Sequence, residues 1–236
     1  MYDSLFCRMY NEFGWNEYPR VFGGKLLEWL RREDRTVKTA LDLGCGTGVL
    51  CEVLHEQGIE TLGVDLSGNM IEIARQRSPG LRYEVGDMTA FRPSRAFDLV
   101  TCTGDALNHV TELSDVGRVF QNVWFALNPG GVFVFDLLKA DEVPDGAPFE
   151  ARFTDNLTVR FAADVDDKGF TTLRIDAFEG EIPKFSEVIR EKLHDVETIL
   201  SMLRQAGFTV LQCADRLLTG DDHRGTTWFV CAEKGR

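Results

Sequence analysis

No run of eighteen apolar residues occurs in the 236-residue chain, so no membrane-spanning helix is expected. The amino terminus, MYDSLFCRMYNEFGW, lacks the basic start and apolar block of a secretory leader. Acidic and aromatic residues stand there instead, and a cytoplasmic location is the expectation. Basic residues are in deficit: 26 Lys and Arg against 38 Asp and Glu, a formal net charge of −12. Phosphate backbones are bound mainly through Lys and Arg. The one dense basic cluster, Arg31, Arg32 and Arg35, reads as a solvated helix end, so nucleic acid is disfavoured as a partner. The six cysteines form no C-x-x-C pair, the four histidines are scattered, and no H-E-x-x-H occurs. No metal site is expected, and most of the cysteines read as buried thiols of a reducing compartment. Internal repeats and low-complexity segments are also lacking. What is present is the ordinary composition of a globular chain, 44% hydrophobic and 27% charged, long enough for one well-buried domain with a small appended lobe.

Residues 1–35 read as helical and amphipathic, with a concentration of aromatics: Tyr2, Phe6, Tyr10, Phe13, Trp15, Tyr18, Phe22 and Trp29. From residue 38 the pattern alternates. Strands are read at 38–43, 59–65, 81–86, 97–103 and 131–137, and helices at 48–57, 67–77 and 112–127. Such alternation predicts a parallel sheet with helices on both faces. After residue 142 the period changes to two. The stretches 149–153, 157–164, 170–178 and 185–194 alternate apolar and polar side chains, and Asp166-Asp167-Lys168-Gly169 reads as a hairpin turn. These residues, 143–194, are expected to form an antiparallel insertion, either a lid over the site or a surface on which two copies pair. A helix over 196–206, stopped at Gly207, and two strands at 208–216 and 225–233 complete the main sheet. The core therefore comprises residues 1–142 and 195–236.

The densest chemical signal is LDLGCGTG at residues 41–48, followed seventeen positions after Gly48 by Asp65, which closes an apolar run. A buried strand runs into a glycine turn and then a helix. Glycine serves where a ligand approaches the backbone and where positive φ is required, and the amides at the helix start favour an anionic group such as a carboxylate. Asp65 ends the second strand, where its carboxylate can accept from both hydroxyls of a ribose. Gly44, Gly46 and Gly48 follow G-x-G-x-G rather than the dinucleotide spacing G-x-G-x-x-G. Asp42, just before them, suits a ligand bearing an ammonium group and would repel a pyrophosphate. Ligands of open α/β sheets bind beyond the carboxyl ends of the strands, so the loop Thr103–His109 faces the reacting end. Asp105, Asn108 and His109 are its polar candidates for holding a substrate.

LDLGCGTG, VDLS (64–67), GDM (86–88), FDLVTCTGDALNHV (97–110) and NPGGVFVFD (128–136) stand in an order and spacing that resemble class I S-adenosylmethionine-dependent methyltransferases. The resemblance covers residues 38–137. The segments YDSLFCRMYNEF and REKLHDVETILSMLRQAGF are similar to a small-molecule subgroup with an antiparallel insertion after the fifth strand, some of whose members methylate amino groups of sugars or amino acids. The resemblance implies an α/β fold: a doubly wound, Rossmann-like, seven-stranded, mostly parallel sheet with a small antiparallel β insertion. It implies S-adenosylmethionine as cofactor and a small-molecule acceptor. The cofactor residues it implies are Asp42, Gly44, Cys45, Gly46, Gly48, Asp65, Asp87, Met88 and Thr103. Leu66 and Met70 would pack on adenine or belong to the core, and Tyr10 and Tyr18 are the aromatics that reach the cofactor. Asp105 or His109 would act as a general base if the acceptor needs one. One departure is His194, standing where an aromatic tyrosine is expected. The asparagine-proline-proline-aromatic motif of nucleic-acid and protein amide methyltransferases is absent after strand four. The competing readings are a cofactor-binding domain without turnover, a protein or RNA methyltransferase, and, more distantly, a nicotinamide-dependent oxidoreductase.

Overall fold

A computed structural model describes residues 2–139, 146–154, 156–215 and 227–235. Seven strands form one sheet: β1 (Thr39–Leu43), β2 (Glu60–Asp65), β3 (Arg82–Val85), β4 (Phe97–Cys102), β5 (Leu127–Leu138), β10 (Phe208–Ala214) and β11 (Thr227–Lys234). Their order is β10-β11-β5-β4-β1-β2-β3. β3, β2, β1, β4 and β5 run parallel, whereas β11 is antiparallel to both β5 and β10. The order reverses between β1 and β4, so the loops leaving these two strands diverge and open a crevice at their carboxyl ends.

Alternation along the strands distributes side chains to two helical layers. On one face α2 (Glu17–Arg32) and α3 (Val49–His55) bury Phe22, Leu26, Trp29, Leu50 and Leu54 against Ala40, Leu99, Val132, Val134 and Phe229. On the other, α5 (Leu113–Ala126) and α6 (Val196–Gln205) bury Val116, Phe120, Val123, Ile199 and Leu203 against Leu41, Val100, Phe133 and Phe135. Ile71 and Ala74 of α4 (Gly68–Arg77) pack with Tyr83 of β3 near the far edge.

A second, four-stranded antiparallel sheet consists of β6 (Gly146–Arg152), β7 (Leu157–Val165), β8 (Phe170–Glu179) and β9 (Ile182–Lys192). The β7–β8 turn is held by Asp166, whose carboxylate accepts from the amides of Lys168 and Phe170, while Gly169 takes the positive φ. The expected boundary at residue 143 and the expected strand start at 225 lie outside the described residues. β5 begins four residues earlier than the apolar run indicated, because extended backbone follows α5 directly at Leu127.

The amino-terminal segment departs from a continuous helix. It forms α1 (Ser4–Met9), a series of turns through Asn16, and then α2. Asp3 caps α1 by accepting from Leu5 N, and Gly14 takes a positive φ in the turns. The aromatics explain the break. Phe6, Tyr10, Phe13 and Trp15 turn onto one another and pack with Val159, Phe161, Ile175 and Phe185 of the small sheet and with Met70 of α4. Burying that many rings against a sheet outweighs continuation of a helix through residues 10–16. Two hydrogen bonds pin the segment over the crevice: Asn69 Nδ2 donates to the Tyr2 carbonyl (2.7 Å) and Thr47 Oγ1 to Asn11 Oδ1 (3.0 Å).

Candidate functional site

The loop after β1 is tied to the end of β2. The amides of Gly44 and Cys45 both donate to the Val64 carbonyl, at 2.7 and 3.0 Å. Gly44, Gly46 and Gly48 all have positive φ. A Cβ on Gly44 would meet the Ala106 Cβ at 2.6 Å, and one on Gly48 would meet the Tyr83 ring. A Cβ on Gly46 would have no neighbour within 4 Å: it would project into the crevice, in space open to a ligand.

The crevice has two connected halves that share Tyr2, Tyr10, Gly44, Gly46, Gly104 and His109 as walls. The outer half, about 560 Å³, is lined by Asp65, Leu66, Ser67, Met70, Asp87 and Met88. Asp65 Oδ2 accepts from Gly46 N (2.9 Å) and Oδ1 from Ser67 N (2.8 Å). Each oxygen keeps a further lone pair. Burial raises its pKa, and these two amides counter the shift. Asp87 accepts from Thr89 N (2.8 Å) and so folds its own loop. Leu66, 64% exposed, presents an apolar side chain at this wall, whereas Met70 is buried within the aromatic cluster. Among the described residues Arg118 is the only Lys or Arg along this half, and it is paired with Asp115 at 2.6 Å.

The inner half is lined by Trp15, Tyr18, Asp42, Cys45, Thr47, Thr103, Asp105 and Glu191, and among the described residues no Lys or Arg lines it. Asp42 is buried and accepts from Thr101 Oγ1 (2.7 Å) and more weakly from the Cys51 thiol. Burial pushes its pKa up to about 7 against those hydrogen bonds. Cys45 is buried as an inert thiol whose pKa burial drives far up.

Asp136 stands near the end of β5, beside this half. It is fully buried and organises the loop after β4: Gly104 N donates to Oδ2 (2.9 Å), Asp105 N to Oδ1 (3.0 Å), and the Tyr18 hydroxyl also donates to Oδ2. These bonds hold Asp105 at φ +60°, a left-handed conformation that aspartate tolerates better than most residues. Among the described residues no hydrogen-bond donor engages the Asp105 carboxylate. Glu191 reaches the same space from β9, its side chain 9% exposed. Burial, and then the proximity of Asp105 and Asp136, pushes the Glu191 pKa well up. Asp105 is raised by burial and by Asp136, and Asp136 itself by burial. His109 Nε2 lies 3.3 Å from Glu191 Oε1 and 3.4 Å from the Tyr2 hydroxyl, and burial lowers its pKa. Both shifts bias this contact toward a protonated carboxyl beside a neutral imidazole.

The structure thus gathers Tyr10, Tyr18, Asp42, Gly44, Cys45, Gly46, Asp65, Leu66, Met70, Asp87, Met88, Thr103, Asp105 and His109 around one crevice. Gly48 stands just behind, as the N-cap of α3. Asn108 is the exception and corrects the expectation of a substrate contact. It is fully buried, its Nδ2 donates to the Lys192 carbonyl (2.7 Å), and its Oδ1 accepts from Leu138 N (3.1 Å). Both ends of the amide are used to brace β5 against the last residue of β9. His194 is likewise internal, with Nε2 2.9 Å from the Val110 carbonyl. Asp136 and Glu191 escaped the sequence reading. Asp136 carries a signal like that of Asp65, a lone acid near the end of the apolar run VFVFDLL. Glu191 shares an inward face with Phe185 and Ile189, a signal visible only once that face is known to be covered.

Removing the Asp65 carboxylate tests the outer half. Asp65→Ala leaves the Gly46 and Ser67 amides without their partner and is expected to weaken cofactor binding by about 1–3 kcal/mol, or roughly ten- to a hundredfold, in a calorimetric titration. Unchanged affinity would remove Asp65 from the binding site.

Residues 40–131 match a family described as a methyltransferase domain. A chain named as a methyltransferase in Geobacillus sp. (strain WCH70) is 27% identical over 227 residues, covering 89% of this chain and 87% of that one. An S-adenosylmethionine-dependent methyltransferase from Clostridium acetobutylicum superposes with a TM-score of 0.80 at 26% identity, covering 91% of each chain. An amino pentose methyltransferase from Micromonospora echinaspora, solved with S-adenosylmethionine bound, superposes with a TM-score of 0.76 at 22% identity and covers 99% of this chain and 98% of its own.

Proposed function

We propose that this chain, a class I S-adenosylmethionine-dependent methyltransferase, methylates the amino group of a small molecule, in the cytoplasm. The observation that carries the reading is the inner half of the crevice: Asp42, Asp105 and Glu191 line it, Asp136 stands beside it, and among the described residues no Lys or Arg lines it to balance them. Such a wall favours cations and disfavours an acceptor that carries phosphate. The cofactor fits it, with a sulfonium and an ammonium group, and so does an acceptor amine. The net charge of −12 and the six unpaired thiols support a small acceptor and a reducing compartment. The likeness of the whole fold to the amino pentose methyltransferase supports the same acceptor class.

In this reading Asp65 receives the ribose hydroxyls, Asp87 and the Met88 amide meet the adenine edge, and Leu66 covers one adenine face. Asp42 and the Gly44–Gly48 loop hold the methionine end. When bound, S-adenosylmethionine supplies an electrophilic methyl group on a cationic sulfur. Tyr2 and Tyr10 wall the junction of the two halves and keep water from it, and their ring faces stabilise positive charge by about 0.5–2 kcal/mol. Asp105 and Glu191 orient the acceptor amine and take the proton that it sheds, so in-line positioning rather than a strong base supplies the acceleration. The small sheet serves as part of the acceptor wall through Glu191.

The test is a screen of amino sugars and other small amines, each paired with its hydroxyl analogue, for cofactor-dependent methylation. Turnover confined to amines is expected. Methylation of hydroxyl analogues alone would refute the amine assignment. Tight cofactor binding without turnover of any acceptor would favour a binding module.

A further inference from the structure

We infer that Asp105, Asp136 and Glu191 act as a charge sensor for the cofactor: they hold shared protons in the free protein, release them to solvent as the sulfonium enters, and regain them when the neutral thioether product is left. The cleft would then hold S-adenosylmethionine more tightly than S-adenosylhomocysteine and expel its own product. This rests on the reading of the crevice as the cofactor and acceptor site.

The geometry carries the inference through a count of charges. Among the described residues every element around the cluster contributes an acid or a neutral group. The amino-terminal segment and α2 supply the phenols of Tyr2, Tyr10 and Tyr18, β1 and its loop supply Asp42 and Cys45, and the end of β2 supplies Asp65. The turn after β4 supplies Asp105 and His109, β5 supplies Asp136, and β9 supplies Glu191. The nearest lysines and arginine along the chain are engaged elsewhere. Lys192 and Arg190 lie over the Phe170 ring, and Lys139 lies over Trp228 and 3.6 Å from Asp215. Buried carboxylates without a counter-cation cannot all ionise, and like charges in one site force protons to be shared. Burial accordingly raises all three, and the neighbouring carboxylates add to the rise at Asp105 and Glu191. A ligand that spans from Asp65 to Asp42 must cross the junction walled by Tyr2, Tyr10, Gly104 and His109, and the substrate form of the cofactor carries one more positive charge there than the product form. That charge, in a site poorer in water than bulk, lowers the carboxyl pKa values.

The sign follows from linkage. The free protein binds more protons than the complex, so affinity for the cationic form rises with pH across the interval between the free and bound pKa values and is level outside it. The experiment is calorimetry of the full chain with S-adenosylmethionine and with S-adenosylhomocysteine, in buffers of different ionisation enthalpy, between about pH 6 and 9. Net proton release is expected for the first ligand and less or none for the second. The affinity ratio should climb with pH by up to about tenfold per unit for each proton released. The double substitution Asp105→Asn with Glu191→Gln, checked for folding by its thermal transition, should flatten that ratio. Asp136 is left intact because it holds the loop amides. Equal proton release by both ligands, with a ratio independent of pH in the unmodified protein, would overturn the inference while leaving the methyltransferase reading in place. Failure of either ligand to bind would instead overturn the cofactor site.

Discussion

Replacing Gly44 by alanine is expected to lower both the melting temperature and the cofactor affinity, whereas the same change at Gly46 should act chiefly on affinity. Both glycines have positive φ, so each alanine carries a backbone penalty of about 1–2 kcal/mol. The neighbours differ. The new methyl at Gly44 would lie 2.6 Å from the Ala106 Cβ, an atom fixed rigidly to the backbone of the turn that carries Asp105 and His109. Relief requires the loops after β1 and β4 to separate, and overpacking of this kind adds about 1–3 kcal/mol. For a chain of this size a total of about 2–5 kcal/mol corresponds to a fall in Tm of roughly 5–15 °C. At Gly46 the methyl meets no protein atom within 4 Å, so only the backbone penalty falls on folding, while the ligand loses the space. Thermal melts and cofactor titrations of the two variants check this. Equal loss of stability at both positions would mean that the Gly44–Ala106 approach does not control the loop spacing.

Loss of the Asp136 carboxylate should have the second largest effect. Its two oxygens receive the amides of Gly104 and Asp105 and the hydroxyl of Tyr18 inside a fully buried site. In Asp136→Ala the two amides and the phenol have no acceptor, and each buried donor left unsatisfied costs about 1–3 kcal/mol. A destabilisation of about 3–5 kcal/mol is expected. The left-handed backbone at Asp105 loses its support at the same time. Turnover should therefore fall by more than affinity for the cofactor, because the hydrogen bonds that hold Asp65 and Asp87 in the outer half come from Gly46, Ser67 and Thr89 and not from this loop. Asp136→Asn, which retains one acceptor oxygen, should lie between the wild type and the alanine variant in both Tm and turnover. A variant that melts normally and turns over at full rate would show that Gly104 and Asp105 find other partners.

Much of this protein is legible along the chain because its signals are local. The strand–glycine–helix passage at residues 39–55 is dictated by an apolar run, three glycines that accept positive φ and a following helical face. The parallel sheet follows from alternation of period two with period 3.6, and the switch to uninterrupted period two after residue 142 points to the antiparallel sheet. Asp65 and Asp42 are readable because each is a lone acid at or next to the end of an apolar strand, where nothing but a ligand or a hydrogen-bond donor explains it. Asp136 obeys the same rule.

Other features depend on pairs of residues far apart in the chain, and no local pattern encodes them. The aromatics of residues 2–15 have a helical spacing, yet their burial against β7, β8 and β9 bends the segment over the crevice, because ring burial across some 150 positions outweighs two turns of helix. Asn108 reads as a loop polar group, yet its amide meets Lys192 and Leu138, one of them 84 positions away. Glu191 is one of many acids in the sequence until the second sheet folds back to set it 3.3 Å from His109. Propensity and periodicity act over a few residues and establish the elements and the cofactor loop. Burial and charge act through space, so the acidic acceptor wall exists only once β4, β5 and β9 have been brought together.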